Sequence, residues 1–400
     1  MDQPENNDQP VAFVYDNALS SFSYGPDHPM KPARLQRTYQ LLDAYGVFDW
    51  PESRLVPPAP GTEEDLLNFH TPEYVSVVKA LSSGEPVLDA VRFNFGPGDN
   101  PAFEGMYEAF QQQVAASLTA ANRVADGEVD RAFSVAGGLH HAGPALASGF
   151  CVFNDVVIAI RRLLDRGLRI AYVDIDAHHG DGVQNAFYDS DRVLTISLHE
   201  GPSFLFPGTG AVDEVGRDSG RGCAINVPFP PYTNDEVYMW ALEQIVPEAI
   251  DLFGPDIVVL QAGIDTHFDD PLTHLNLSTH GYVSALRKIM NLAPRLVVLG
   301  GGGYAIAVVA RAWTLAYATL LGREADLPNN LPDRYTRIYG PGQLRDSQPR
   351  PLAKETSEYV WDYVRQAVRQ LQKDALPLLA RAMGKVRPGE RRGTREPDAE

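Results

Sequence analysis

The sequence predicts an α/β fold built on a parallel sheet, and three observations predict it. Short apolar runs of strand length recur between residues 132 and 299. Stretches with apolar residues at helical spacing separate them. Each run ends abruptly in glycine, aspartate or histidine, as strands do where a sheet presents its carboxyl edge to a ligand. Such alternation makes βαβ units, and those units make parallel sheets.

In chain order, residues 132–136 read as a strand ending in Gly137-Gly138-Leu139-His140-His141-Ala142. Neighbouring residues of a regular strand face opposite ways, so both histidines enter one pocket only from irregular backbone. Gly137 and Gly138 permit that backbone. Residues 154–166 follow as a helix with Val156, Val157, Ile160, Leu163 and Leu164 on its apolar stripe. Ile170-Ala171-Tyr172-Val173 is the next strand, and it runs into Asp174-Ile175-Asp176-Ala177-His178-His179-Gly180-Asp181. Alternate residues of extended chain share a face, so Asp174, Asp176 and His178 converge.

A helix over 233–253 leads to the β-branched run 257–262, and then to Gly263-Ile264-Asp265-Thr266-His267. Asp265 is the natural third ligand beside Asp176 and His178. Three oxygen and nitrogen ligands leave one coordination position open, the pattern of a catalytic metal. The set suits Zn²⁺ and also accepts Fe²⁺ or Co²⁺. His267 reads as a hydrogen-bonded loop residue. Thr279–Leu292 is helical and Leu296–Leu299 is the last strand, followed by Gly300-Gly301-Gly302-Gly303-Tyr304. Four glycines in a row either bring backbone close to something or let a loop move. Residues 304–321 are nearly apolar, but Arg311 and the glycines before them favour a buried helix over a membrane span.

The remaining composition narrows the classes. A net charge of −18, from 34 basic and 52 acidic residues, disfavours nucleic acid as a partner and suits a cationic substrate. Cys151 and Cys223 give no disulfide framework and fit a reducing, cytoplasmic setting. The acidic start Met1-Asp2-Gln3-Pro4-Glu5 is unlike a signal peptide, and no segment asks for a membrane. Ligands at 176 and 265 must share one pocket, and residues 1–322 read as one domain. Residues 323–385 form an extension, irregular over 328–351 and helical over 357–383, with Pro377 placed to kink or break that helix. Residues 386–400 read as a disordered tail.

Several segments together carry a family resemblance. Gly137-Gly-Leu-His-His-Ala142, Ala147-Ser-Gly-Phe-Cys-Val-Phe-Asn-Asp155, Val173-Asp-Ile-Asp-Ala-His-His-Gly-Asp-Gly182, Phe206-Pro-Gly-Thr-Gly210 and Gly300-Gly-Gly-Gly-Tyr304 resemble the metal-dependent histone deacetylases, in order and at family spacing. Gly25-Pro-Asp-His-Pro-Met-Lys-Pro-Ala-Arg34 and Asp269-Asp-Pro-Leu-Thr-His274 resemble the bacterial acetoin-utilisation branch. The resemblance runs from about Val11 to Gly322. It implies a single-domain arginase/deacetylase fold, a mainly parallel sheet with helices on both faces.

The resemblance also implies roles. Asp174 partners His140 and Asp181 partners His141. His141 is then the general base that returns its proton to the amine, while His140 stays cationic. Tyr304 donates to the developing oxyanion. Phe150 and Phe206 face each other across a tunnel for an acetyl-lysine arm, with Gly149 and Leu272 completing its wall and rim. Asp99 grips substrate amides at the rim, and Arg34 lines an acetate exit. Asp174, Asp176, His178, Ser197 and Leu198 match a structural monovalent-cation site for K⁺. Lys31 matches part of an inositol-phosphate site whose arginine Pro271 replaces, and that site is not carried over.

The expected activity is zinc-dependent hydrolysis of N-acetyl-lysine in proteins, with acetyl-CoA synthetase the leading target by resemblance. An acetylpolyamine, a small acetylated amine, is the alternative substrate. An arginase-like ureohydrolase needs a bridging carboxylate where Gly180 stands. A catalytically dead acetyl-lysine-binding module sits poorly with the two histidines and Tyr304.

Overall fold

A computed structural model of the chain describes residues 10–385, so the tail expected at 386–400 lies outside the described residues. The first half of the chain runs β1 (Val11–Val14), α1 (Ala33–Ala44), β2 (Ser53–Val56), α2 (Glu63–Leu67), α3 (Pro72–Ser82), α4 (Met106–Ala125), β3 (Arg131–Ser134) and α5 (Asp155–Asp165). It continues through β4 (Ile170–Asp174), α6 (Asp181–Phe187), β5 (Val193–Glu200), β6 (Ala224–Phe229), α7 (Asp235–Phe253) and β7 (Ile257–Gln261). Then come α8 (Thr279–Leu292), β8 (Leu296–Leu299), α9 (Ile306–Leu320), α10 (Asp333–Tyr339), α11 (Lys354–Gln370) and α12 (Leu376–Ala382).

The strands make one sheet in the order β2-β1-β3-β8-β7-β4-β5-β6, and every neighbouring pair is parallel. Every residue of β1 and of β4 through β8 is buried, as an all-parallel sheet requires when helices cover both faces. One run of adjacent helices is α1, α9, α8 and α7, and another is α3, α4, α5 and α6. The carboxyl ends of β3, β8, β7 and β4 lie side by side at the centre of the sheet. That row is where the candidate residues emerge.

Side-chain caps set the helix starts. Asn154 accepts from the Val157 amide at 3.0 Å, and α5 begins one residue later. Helix α7 begins at Asp235 and not at Thr233, because the Asn234 side chain takes the Val237 amide and occupies the cap. Helix α9 is the buried helix expected after the glycines. Among the described residues, no helix is long and apolar enough to cross a membrane.

The extension departs from expectation in two places. Irregular backbone expected over 328–351 contains α10. Pro377 does not break the terminal helix, which runs from Lys354 to Ala382. The chain accommodates the missing amide hydrogen by widening the preceding turn, Leu371–Ala375, to π geometry. Val360, Val364, Val368, Leu371, Leu376 and Leu379 are all buried, and Trp361 meets Trp240 of α7 edge to face at 5.5 Å.

Trp313 of α9 ties this core to the sheet edge that holds the site. It is fully buried, stands edge-on to Phe133 at 6.3 Å, and donates from Nε1 to the Ala262 carbonyl at 3.0 Å. Truncation of a buried tryptophan costs about 3–5 kcal/mol. Trp313→Ala is expected to lower the urea midpoint of unfolding by that equivalent. An unchanged midpoint would show that the α9 face collapses onto the sheet without it.

Candidate active site

Strand β4 ends at Asp174, and the chain leaves it in two successive side-chain-capped turns. Asp174 Oδ1 accepts from the Asp176 amide at 3.0 Å, and Asp176 Oδ1 accepts from the His178 amide at 2.9 Å. Strand β7 lies beside β4, and its following loop brings in Asp265, whose Oδ1 accepts from the Ala177 amide at 2.8 Å. His178 Nδ1 then stands 3.1 Å from Asp176 Oδ1 and 2.9 Å from Asp265 Oδ2. One ligand atom from each of Asp176, His178 and Asp265 lies within 4.8 Å of the others, and all three residues are buried.

Two carboxylates and an imidazole in dry surroundings fit a divalent cation. Burial and the neighbouring Asp176 carboxylate raise the Asp265 carboxyl above its usual range, so added positive charge is favoured there. The far oxygen of Asp176 is already committed, accepting from Gln261 Nε2 at 2.6 Å and from the Gly302 amide at 2.8 Å. Gly302 must be glycine for space. A Cβ there would lie 2.2 Å from Asp265 Oδ2. Of the two readings of the glycine run, close backbone approach is the one the packing bears out.

The two adjacent histidines share one pocket, as the glycines before them allow. Gly138 has φ +95° and a Cβ there would meet the Gly301 amide nitrogen at 2.5 Å. The turn is fastened by Asp155, fully buried, which accepts from the amides of Gly138 (2.9 Å) and Leu139 (2.7 Å) and from Ser117 Oγ (2.5 Å). His140 Nδ1 meets Asp174 Oδ2 at 2.8 Å, and His141 Nδ1 meets Asp181 Oδ1 at 2.7 Å. Tyr172, two residues before Asp174 on the same strand face, donates to Asp174 Oδ2 at 2.5 Å. The two Nε2 atoms are 3.0 Å apart, so one ring donates and the other accepts.

Their environments decide which does so. For His140, burial opposes charge, but the Asp174 and Asp176 carboxylates outweigh it and raise the imidazole to about 9. For His141, burial and then the charge on His140 lower it to about 4. At neutral pH His140 is therefore the cation and donor, and His141 the neutral acceptor.

Aromatic rings surround the mouth. Phe150, at φ +69°, stands edge-on to Tyr304 at 5.7 Å. Phe206, 45% exposed, lies 5.1 Å from the His141 ring and 6.4 Å from that of His178. Gly149 has φ +51° and sits against both, since its Cβ would be 2.4 Å from His141 Cδ2 and 3.0 Å from Phe206 Cε1. Asp99 is exposed at the surface, in a loop latched to Phe150 by its amide bond to Asn100 Oδ1 (3.1 Å) and to His28 Nε2 through the Asp99 carbonyl (3.2 Å). The Leu272 amide donates to Asp270 Oδ1 at 3.0 Å, and the other Asp270 oxygen accepts from the Tyr304 amide at 2.8 Å. Burial, then Asp265 and Asp176, hold the Tyr304 phenol well above its usual range, so it stays a donor.

Arg34 is buried, lies over Trp313 at 5.1 Å and donates to the Gly303 carbonyl at 3.0 Å. Strand register places Ser197 beside Asp174. The Ser197 hydroxyl meets His199 Nδ1 at 2.8 Å, and the Leu198 carbonyl accepts from Tyr238 at 3.3 Å. The structure thus gathers Asp176, His178, Asp265, His140, His141, Asp174, Asp181, Tyr304, Phe150, Phe206 and Gly149 into one cluster of contacts. Sequence reasoning gave no role to Asp155, Tyr172, Gln261 or Asp270. Asp155 and Asp270 stood inside quoted motifs, and Gln261 was an amide ending an otherwise apolar strand.

Comparison with known proteins places these features in context. Residues 28–320 match the histone deacetylase domain. The chain is 37% identical over 365 residues to type-1 histone deacetylase 1 of Dictyostelium discoideum, covering 90% of this chain and 72% of that protein. It is 35% identical over 365 residues to human histone deacetylase 1, covering 90% and 74%. The crystal structure of an HDAC homologue from Aquifex aeolicus superposes with a TM-score of 0.81 at 32% identity, covering 90% of this chain and all of that one. A crystal structure of an HDAC homologue complexed with SAHA superposes at 0.82, also with 32% identity and 90% of this chain covered.

Proposed function

The chain belongs to the histone deacetylase family, and from that membership we propose that it removes the acetyl group from N-acetyl-lysine carried by a protein, using Zn²⁺ held by Asp176, His178 and Asp265. The observation that carries the reading is the pair of imidazoles 3.0 Å apart, each backed by its own aspartate, beside a buried Asp–His–Asp cluster. We further assign residues 1–322 as the catalytic domain and 323–385 as an extension packed on it.

When bound, the metal supplies a Lewis acid that polarises the acetamide carbonyl and acidifies water. The protein does the rest. Water displaces His140 as the partner of His141 Nε2, and His141 takes a proton from it there as the water oxygen bonds to the acetamide carbon, while Asp181 fixes the tautomer from Nδ1. His140, charged through Asp174, contributes fixed positive potential without changing its proton. The Tyr304 hydroxyl donates to the carbonyl oxygen as negative charge grows there. As the carbon–nitrogen bond breaks, His141 returns its proton to the leaving amine, giving acetate and free lysine.

Phe150, Phe206 and Gly149 enclose the lysine methylenes and keep water from their length, with Leu272 and Asp99 at the rim. Arg34, behind Tyr304, offers a cation to the departing acetate. Asp174, Ser197 and the carbonyl of Leu198 are the proposed K⁺ neighbours. The experiment that tests the whole reading is acetate release from an acetyl-lysine peptide and from acetylputrescine by Zn²⁺-loaded protein. Preference for acetylputrescine would overturn the protein-substrate reading.

Removing one ligand from a three-ligand site should abolish both metal and turnover. Asp265→Asn and His178→Ala are each expected to bind less than a tenth of the wild-type metal by elemental analysis. Full stoichiometry in both would refute the ligand set. Tyr304→Phe is expected to keep the metal and lose about 10²–10³ in kcat, the usual cost of one oxyanion donor. Wild-type turnover in that variant would remove the hydroxyl from the mechanism.

The pH profile follows from the two imidazoles. His141 is lowered to about 4, so activity falls as pH drops and the base becomes protonated. His140 is raised to about 9, so its charge persists at neutral pH and is lost as pH rises through that value. A bound cation moves both limbs to lower pH without reversing their order. Asp174→Asn removes the foremost group that raises His140, so the alkaline limb of kcat should shift to lower pH. An alkaline limb at the wild-type position would show that it does not report His140.

A further inference from the structure

The extension reaches the loop after β7 through the Asp346 carboxylate, and also through Arg350, which lies over Phe268 at 3.9 Å and 3.4 Å from Asp269. His267, two residues past Asp265, is 1% exposed and its ring is held from both sides. Its Nδ1 accepts from the Asp269 amide at 3.1 Å, which places the ring proton on Nε2. That Nε2–H donates to Asp346 Oδ2 at 2.9 Å, across 79 residues of chain.

Asp346 is committed elsewhere as well. Oδ2 also accepts from the Thr279 amide at the start of α8 (2.8 Å), and Oδ1 accepts from Arg311 of α9 (3.0 Å). Its own amide donates to Thr279 Oγ1 (3.0 Å), and its carbonyl accepts from His280 Nε2 (2.8 Å). Five bonds thus fix one residue of the extension against two helices and one loop.

What the loop carries gives the contact its meaning. The Asp270 amide donates to the His267 carbonyl at 2.9 Å, and the Asp270 carboxylate holds the Tyr304 amide at 2.8 Å. Thr273 donates to the Asp265 carbonyl. The His267 ring is thus anchored on the loop segment that carries Asp265 and, through Asp270, the Tyr304 amide.

We propose that Asp346 is a positioning residue of the active site, and that the extension uses it to hold the β7 loop so that Asp265 and Tyr304 keep their places. The proposal rests on the reading of Asp176, His178 and Asp265 as metal ligands. It makes the extension a working part of the pocket and not only a packing layer. Outer partners of metal sites lose about 10- to 100-fold in metal affinity or activity when removed.

The test is Zn²⁺ titration of metal-free full-length protein, with kcat and KM on an acetyl-lysine peptide and the melting temperature measured in parallel. Asp346→Ala is expected to weaken Zn²⁺ by about 10- to 100-fold and to lower kcat at saturating metal, with KM within about threefold of wild type. Asp346→Asn keeps an acceptor for His267 and Thr279 and should recover most of the Zn²⁺ affinity. Tyr45→Phe is the control. It removes a bond from α1 to the extension at the Pro328 and Asn330 carbonyls, 3.0 and 3.2 Å, away from the β7 loop, and should leave Zn²⁺ affinity and kcat unchanged.

A folded Asp346→Ala variant with wild-type Zn²⁺ affinity and kcat overturns the proposal. If that variant does not fold, His267→Leu decides, because it removes the donor to Asp346, along with the acceptor for the Asp269 amide, and leaves the Asp346 bonds to Thr279 and Arg311 in place. The same weakening supports the proposal, and wild-type affinity overturns it. If the wild type binds Zn²⁺ but hydrolyses no acetyl-lysine, the proposed function fails, and the affinity comparison still decides the role of Asp346.

Discussion

Buried negative charge is the constraint on which the rest of the site depends. Asp155, Asp174, Asp176 and Asp265 are all 0–1% exposed, at or near the carboxyl ends of central strands. An uncompensated carboxylate in such surroundings costs several kcal/mol, so each must be answered by hydrogen bonds or positive charge. Backbone amides answer much of it: Gly138 and Leu139 for Asp155, Ala177 for Asp265 and Gly302 for Asp176. The glycines exist because amides must come that close. The cation on His140 meets part of what remains.

The same constraint explains how two neighbouring residues of one type come to differ in charge. His140 faces Asp174 and Asp176, whereas His141 faces the charge on His140. Neither pattern is visible in the dipeptide. It arises because Asp174 and Asp181 stand at the two ends of one short loop, before and after the metal-facing residues, and so approach the histidines from different sides.

Most of the sheet was legible because buried parallel strands have a simple signature. Ile170-Ala-Tyr-Val and Ile257-Val-Val-Leu are too apolar for anything exposed, and their polar ends mark the ligand edge. Asp176, His178 and Asp265 could be grouped in advance because ligand chemistry restricts residue type, and the structure brings one ligand atom of each within 4.8 Å of the others. Asp155, Gln261 and Asp270 could not, since each acts by holding backbone or another side chain, for which local pattern offers no cue. Pro377 misled in the opposite direction: the rule about missing amides held, but one π turn absorbed its effect. Asp346 pairs with His267 across 79 residues, a distance over which periodicity says nothing.

The strand order also has a consequence for how the protein is made. Strands β3 and β4 follow one another in the chain, yet β8 and β7 stand between them in the sheet. A chain emerging from the ribosome therefore holds β1–β3 and β4–β6 as two separate flaps until β7 and β8 arrive to join them. During that interval Asp174 and Asp176 lack the neighbours that shield them, and the inner edges of both flaps are open to stray pairing. The centre of the sheet, which carries the chemistry, is the last part of it to close.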